Sequence, residues 1–266
     1  MLNPDTPQCL IPWQRRRLLV PTLITLLALA LIPIAPALYK FTHRALLSLP
    51  MQSFLAAAVQ YASSSVTIAA IILVWTLDRS RRKLIAYFLV ALFIAGNINM
   101  LVKVTAGRAR PEWSVALNHK DLAVMADEEN MTLEQAKGLK VDRWLWFGKD
   151  HALLEDKYNS FPSGHAVQAF ALSAFLCMLY PRARLIWLIA AIGCALARVR
   201  FERHYPEDVM VGGAIGWLVS VWVFSWCWPM RVGNWFESVF GSYLRARIKK
   251  GRSGESKPDI EVRPRA

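Results

Sequence analysis

The apolar positions of this chain gather into six blocks: Leu18–Leu38, Phe54–Leu77, Leu84–Val102, His165–Tyr180, Leu185–Ala197 and Val209–Trp228. The first three each approach the ~20 residues that an α-helix needs to cross a bilayer. The fourth and fifth are shorter, and become spans only if their polar ends sink toward the membrane surface. Sunken polar ends of that kind are functional candidates by default. The pattern predicts an all-α fold, a six-helix transmembrane bundle with an extracytoplasmic lid segment between helices 3 and 4. The corresponding division is a cytoplasmic N-terminus over 1–17, a six-helix domain over 18–230 with the insertion 112–161, and a basic tail over 231–266.

The first block carries a competing pattern. Arg15–Arg17, the apolar run and Ala35-Pro36-Ala37 together resemble a cleavable signal peptide. The run is longer than the ~7–15 residues of a signal core, which favours an uncleaved first helix. Composition supports a membrane protein: 55% of the residues are hydrophobic, 11 are Trp and mean hydropathy is +0.29. The net charge of +13 sits beside the apolar blocks, which points to topology and anionic headgroups rather than nucleic acid. With the N-terminus inside, more than half of the 32 Lys and Arg fall on inside segments, so both termini are expected to be cytoplasmic. Cys9, Cys177, Cys194 and Cys227 have no metal-ligand spacing, and three of them lie in apolar blocks, as small buried hydrophobes do.

Two polar regions stand apart. The segment 112–161 has ten acidic residues between Glu112 and Asp156 against six basic ones. Within it Thr132-Leu133-Glu134-Gln135 reads as a capping box and Gly138 as a helix stop. Trp144, Trp146 and Phe147 are spaced like residues that settle at an interface, in keeping with a surface lid. In the tail, Trp235, Phe236, Val239, Phe240, Tyr243, Leu244 and Ile248 form one stripe ending in Arg245, Arg247, Lys249 and Lys250. That is the pattern of an in-plane amphipathic helix, with a disordered end after Gly251.

Three polar clusters sit where outside ends of helices are expected. Lys103 to Arg110-Pro111 leaves the third helix, Phe161-Pro162-Ser163-Gly164-His165 enters the fourth, and Arg198 through His204 to Asp208 joins the fifth and sixth. The topology drawn from charge alone puts all three on one face. Singly each is ambiguous: Lys103 and Arg110 as snorkelling bases, Pro162-Ser163-Gly164 as a plain turn and cap, His204 and Asp208 as a surface i, i+4 pair. Together they describe a phosphate site. Lys103, Arg110 and Arg198 neutralise a dianion. The amides of Ser163, Gly164 and His165 at a helix N-terminus, with the Ser163 hydroxyl, favour an anion, and Gly164 allows close approach. His204 is the candidate nucleophile, with Asp208 fixing its tautomer. His165 is placed to protonate the leaving alkoxide. No metal is called for, since the three cations supply a metal's electrostatic work. No cofactor is expected.

The motifs Lys103-x6-Arg110-Pro111, Pro162-Ser163-Gly164-His165 and Arg198-x5-His204-x3-Asp208 resemble the three motifs of the type 2 phosphatidic acid phosphatase superfamily in spacing and order. The six-helix layout with its long segment between the first two motifs looks like the bacterial phosphatidylglycerophosphatase B branch. The resemblance implies His204 as nucleophile, Asp208 as its partner, His165 as general acid, and Lys103, Arg110, Ser163, Gly164 and Arg198 as phosphate ligands. It also implies metal-free action on lipid phosphates or diphosphates in the bacterial inner membrane, with the site facing the periplasm. Two positions depart from it: Ala197 stands where Ser is usual, and Glu202, beside Arg203, where Gly is often found.

The sequence therefore predicts hydrolysis through a phosphohistidine of phosphatidylglycerophosphate, undecaprenyl diphosphate, phosphatidic acid or the 1-phosphate of lipid A. Transfer of the phosphoryl group to another lipid uses the same site. A non-enzymatic lipid-binding protein is the contrasting alternative.

Overall fold

The computed structural model describes residues 16–111, 144 and 158–225. The capping box at 132–135, Gly138, Trp146 and Phe147, the tail stripe and Cys9 and Cys227 lie outside the described residues. Those that are described form eight α-helices and three short 3-10 turns, with no strand among them beyond an isolated bridge between Arg108 and Trp144. The helices are α1 Arg16–Leu31, α2 Ala35–Ser48, α3 Gln52–Gln60, α4 Ser64–Leu77, α5 Leu84–Ala106, α6 Gly164–Leu179, α7 Arg184–Arg200 and α8 Pro206–Phe224.

All six apolar blocks are helical where described, but the first two are broken. A 3-10 turn at Ile32–Ile34 separates α1 from α2, which meet at 104°. Proline stands in the first turn of both the 3-10 turn and α2, where its missing N–H ends the preceding ladder. Helix α2 continues to Ser48, ten residues past the end of the first apolar block at Leu38, and carries Tyr39 and His43 toward the site. The second block bends by 63° between α3 and α4, where Ser63 caps α4 by accepting from the Val66 amide at 3.3 Å. By length and composition α5 and α8 each suffice to cross a membrane, and each bent pair does so if it forms one span. Leu101, Phe93, Ile72 and Leu185 are more than half exposed, as lipid-facing side chains are.

The core lies between α5, α6 and α8. Phe88 of α5 stacks on Phe175 of α6 with centroids 4.5 Å apart, and Val219, Val223 and Phe224 of α8 close the cluster. Polar side chains join helices at mid-height, with Gln168 Nε2 donating to Thr67 Oγ1 at 2.9 Å and Ser173 Oγ donating to the Trp187 carbonyl at 2.7 Å. Such bonds are retained where no water competes. The tightest approach is between α8 and α6. A Cβ on Gly212 would lie 2.4 Å from the Ser163 carbonyl oxygen, and one on Gly216 would lie 2.2 Å from that of Val167. Gly212 and Gly216 thus form a GxxxG contact in which two backbones touch.

Gly216→Ala is therefore expected to lower the thermal unfolding midpoint in detergent, at an overpacking cost of about 1–3 kcal/mol. Gly96→Ala, where an added Cβ meets nothing within 4 Å among the described residues, should leave the midpoint unchanged or slightly raised. Equal midpoints for the two variants would contradict the α6–α8 contact.

Candidate active site

Each of the three clusters is held by the way its helix stops or starts. Helix α5 ends at Gly107, whose φ of 54° is left-handed and whose N–H reaches the Lys103 carbonyl at 2.9 Å, a helix stop that suits glycine. This leaves Lys103 in the last turn and turns Arg108 and Arg110 inward, both buried. Ser163 is the N-cap of α6, its hydroxyl accepting from the Ala166 amide at 3.5 Å. Arg198 lies in the last turn of α7, and its carbonyl accepts from the amides of Arg203 and His204 at 3.1 and 3.3 Å. Helix α8 then begins with Pro206, the residue type suited to a first helical position.

The clusters interlock. The Ser163 amide donates to the Asp208 carbonyl at 3.0 Å. Lys103 Nζ donates to the Asn159 carbonyl at 2.6 Å, which draws the first cluster against the second. The charges of Arg198, Lys103 and Arg110 all act on His165, and those of Arg198 and Lys103 also act on His204. Lys103, Arg110, Ser163, Gly164, His165, Arg198, His204 and Asp208 thus come to one end of α5, α6, α7 and α8.

The surroundings of His204 differ from a simple pair on a helix. His204 precedes the N-cap Tyr205, while Asp208 is in the first turn of α8 and accepts from the Tyr205 amide at 3.0 Å. The i, i+4 spacing therefore reflects a helix start, not one face of a helix. His204 Nδ1 lies 2.7 Å from the Ser160 carbonyl and 3.9 Å from Asp208 Oδ2. The shorter contact is the hydrogen bond, and the longer one is beyond hydrogen-bonding distance. A carbonyl accepts only, so Nδ1 carries the proton and Nε2 holds the lone pair.

Two residues at this centre carried no sequence signal of their own. Ser160 is fully buried; its amide donates to the Arg108 carbonyl at 3.0 Å, and its hydroxyl donates to Asp208 Oδ2 at 2.5 Å. It sits just outside the second motif and reads as a loop serine. Arg108 is fully buried and donates through Nη1 to Asp208 Oδ1 at 2.5 Å and through Nη2 to Glu207 Oε1 at 2.7 Å. It occupies one of the unspecified positions between Lys103 and Arg110, where its charge is easily taken for another surface base. Its guanidinium carbon lies 3.8 Å from the Tyr205 ring centroid and 4.7 Å from that of Trp144. Among the described residues, no three His, Cys, Asp or Glu side chains come together as a metal would require.

At the rim, Glu202 has φ of 60°, a conformation in which glycine is at ease and other residues are strained. Its Oε1 lies 3.2 Å from His43 Nε2, and His43 stacks on Tyr39 at 5.4 Å.

Fold and site together define an integral membrane protein with cations and two histidines gathered at the ends of its helices. A family model described as the PAP2 superfamily matches residues 84–231, more than half of the chain, and the chain belongs to that superfamily. The resemblance drawn from the three motifs is thereby borne out. Over 73 residues the chain is 40% identical to lipid A 1-phosphatase of Rhizobium johnstonii, a match covering 26% of this chain and 30% of that protein. Over 71 residues it is 32% identical to the bacitracin transport permease protein BcrC of Bacillus licheniformis, covering 27% and 34%. The chain spans about a third of the length of these curated relatives. The crystal structure of Aquifex aeolicus LpxE shares the fold, with a TM-score of 0.50 at 17% identity over 73% of this chain and 96% of that one.

Burial pushes the His204 imidazole from its usual 6.5 down to about 4. Asp208 opposes this, while Arg198 and Lys103 push the same way. The unfolded chain binds that proton near pH 6.5, so the stability gained by holding His204 neutral is full above pH 6.5 and lost as pH falls toward 4. Imidazole NMR of the labelled protein, with His204 assigned by His204→Gln, is expected to give a midpoint near 4. A midpoint at 6.5 would contradict the burial.

Proposed function

We propose that the chain is a lipid phosphatase that hydrolyses a phosphate or diphosphate monoester of a membrane lipid through a covalent phosphohistidine. The observation carrying this reading is the meeting of three cations with a buried, neutral His204 whose Nδ1 is occupied by a carbonyl. That arrangement leaves Nε2 as a nucleophile in the correct tautomer at neutral pH. Lys103, Arg110 and Arg198 draw the phosphate oxygens together and offset the charge that builds up as phosphorus is attacked. Among the described residues, an added Cβ at Gly164 would meet only the Asn99 amide, at 3.4 Å. The protein's own packing therefore does not demand glycine there, in keeping with space left for a ligand at the α6 N-terminus.

In the first step Nε2 forms the N–P bond as the P–O bond to the lipid breaks, and His165, protonated once the bound phosphate dianion offsets Lys103, Arg110 and Arg198, gives that proton to the leaving oxygen. In the second, His165 takes a proton from water, the water oxygen bonds to phosphorus, and the N–P bond breaks to return neutral His204 and release inorganic phosphate. Asp208 and the Ser160 carbonyl stabilise the cationic imidazole between the steps.

The proposed setting is a bundle of six membrane helices, with both termini cytoplasmic, the segment 112–161 outside and the site at the periplasmic face of a bacterial inner membrane. The charge distribution along the chain supports this orientation. Lipid substrates are further supported by a cavity of about 900 Å³ between α1, α6, α7 and α8, lined by residues including Ile24, Phe170, Leu196, Val209, Gly213 and Trp217. Val209 adjoins Asp208, so a hydrocarbon chain lying there would hold its headgroup at the site. The 1-phosphate of lipid A is the leading substrate, ahead of undecaprenyl diphosphate, phosphatidylglycerophosphate and phosphatidic acid. The name of the Rhizobium relative supports the first of these.

Purified protein should release phosphate from at least one of these four lipids. His204→Ala should reduce release by about 10⁴-fold or more, as loss of a nucleophile does. Acid-quenched reactions should yield labelled phosphohistidine in the wild type and none in His204→Ala. Full phosphate release by His204→Ala would overturn the mechanism.

A further inference from the structure

We infer that Arg108 is a positioning residue that sets Asp208 and, through Asp208 and Ser160, the nucleophilic imidazole of His204. The inference rests on His204 being the nucleophile.

Its basis is the way one guanidinium saturates the far side of the site. Arg108 has no exposed surface, and a buried charge persists only against matched partners. Here the partners are the successive carboxylates at the start of α8, Nη1 meeting Asp208 Oδ1 at 2.5 Å and Nη2 meeting Glu207 Oε1 at 2.7 Å. A planar fork bound at both nitrogens cannot swing about its own axis. The faces of Tyr205 and Trp144 further limit its tilt.

The consequence falls on Asp208. With Oδ1 held by Arg108, Oδ2 receives the Ser160 hydroxyl and the Tyr205 amide. The carboxylate is thereby fixed 3.9 Å from His204 Nδ1 and cannot turn to take that proton as its own hydrogen bond. The Nδ1 proton goes instead to the Ser160 carbonyl. Ser160 is held in turn by its hydroxyl on Asp208 and its amide on the Arg108 carbonyl. Arg108 thus reaches both groups that orient the imidazole, one through its side chain and the other through its backbone. A fourth phosphate cation in this position would need its guanidinium nitrogens turned toward the phosphate rather than toward the two carboxylates of α8. Arg108 is fully buried, with a nitrogen committed to each carboxylate.

The two roles separate kinetically. Loss of a phosphate ligand weakens binding of substrate and of product phosphate. Loss of a positioning residue leaves both bound and slows the chemical step, where a displacement of about 1 Å costs on the order of 10²-fold. The test uses the full-length protein in detergent with a lipid phosphate it hydrolyses. Arg108→Ala and Arg108→Lys are expected to lower kcat about 10²-fold, with KM and the inhibition constant for inorganic phosphate changed less than about threefold. Lysine fails to rescue because a single ammonium cannot reproduce the fork. Glu207→Ala, which frees Nη2, should lower kcat about tenfold, and Glu207→Gln, which keeps the acceptor oxygen, should recover most of that loss.

Wild-type kcat in Arg108→Lys overturns the inference. So does a loss in Arg108→Ala carried by KM and by phosphate inhibition. If the Arg108 variants do not fold, the Glu207 pair decides, and equal kcat in Glu207→Ala and wild type overturns it. His204→Ala in the same assay keeps the two proposals distinct. Activity in that variant removes the phosphohistidine reading, whereas an inactive His204→Ala beside a fully active Arg108→Lys removes only the role of Arg108.

Discussion

The hydrogen bond from the Ser163 amide to the Asp208 carbonyl ties the N-terminus of α6 to that of α8. It exists because Gly212, one turn on from Asp208 in α8, has no side chain. The Ser163 carbonyl occupies the space where a Cβ of residue 212 would lie, 2.4 Å away. Two positive helix ends are brought side by side in this way. Motifs more than thirty residues apart in sequence then share one site. Gly216 repeats the contact one turn deeper against Val167, so the registry of the two helices is fixed at two points. Without that registry, His165 and His204 would belong to separate helix ends.

Bringing helix N-termini and several cations together concentrates positive potential, and the cluster needs a counterweight while no anion is bound. Asp208 and Glu207 provide it from the first turn of α8, where carboxylates also suit the helix dipole. They are not equivalent. Asp208 accepts from Arg108, Ser160 and Tyr205, whereas Glu207 Oε2 has no hydrogen-bond partner among the described residues. The site therefore has a satisfied carboxylate facing His204 and a less satisfied one behind it. Arg108 lies between them as the shared cation. A buried polar network of this kind is rigid only where every member has its partners, and here the rigidity is greatest next to His204.

Much of this was legible in the sequence. Lys103, Arg110, Ser163, His165, Arg198, His204 and Asp208 carry charge or a reactive group at helix ends, and an apolar helix with a polar end draws attention through composition alone. The six blocks were equally clear, because runs of apolar residues need no partner to be recognised. What could not be read was geometry that depends on partners. The 104° bend between α1 and α2 follows from Pro33 and Pro36, yet prolines also occur in membrane helices that run on. The polarity of Lys40, His43 and Arg44 hid the helical continuation. Ser160 and Arg108 act through a backbone carbonyl and through a fully buried fork, and neither leaves a periodicity or a spacing. The spacing of His204 and Asp208 suggested a helical pair, while the structure shows a cap, since Pro206 starts the helix between them.

Glu202 links the broken first block to the site. The sequence marked it only as a departure from a glycine that is common at this position, and φ of 60° supplies the reason for the glycine. A side chain there costs about 1–2 kcal/mol in backbone strain. Its retention calls for an offsetting contact, and Glu202 Oε1 has one in His43 Nε2 at 3.2 Å. His43 belongs to α2, the helix that exists only because the first apolar block is broken, and Tyr39 on the same helix packs edge-on against Tyr205. The strained residue precedes His204 by two positions, and Tyr205 follows it directly. The sharp bend in the first block therefore brings α2 against both sides of the loop that carries His204. The break in the first apolar block thus becomes part of what holds the site.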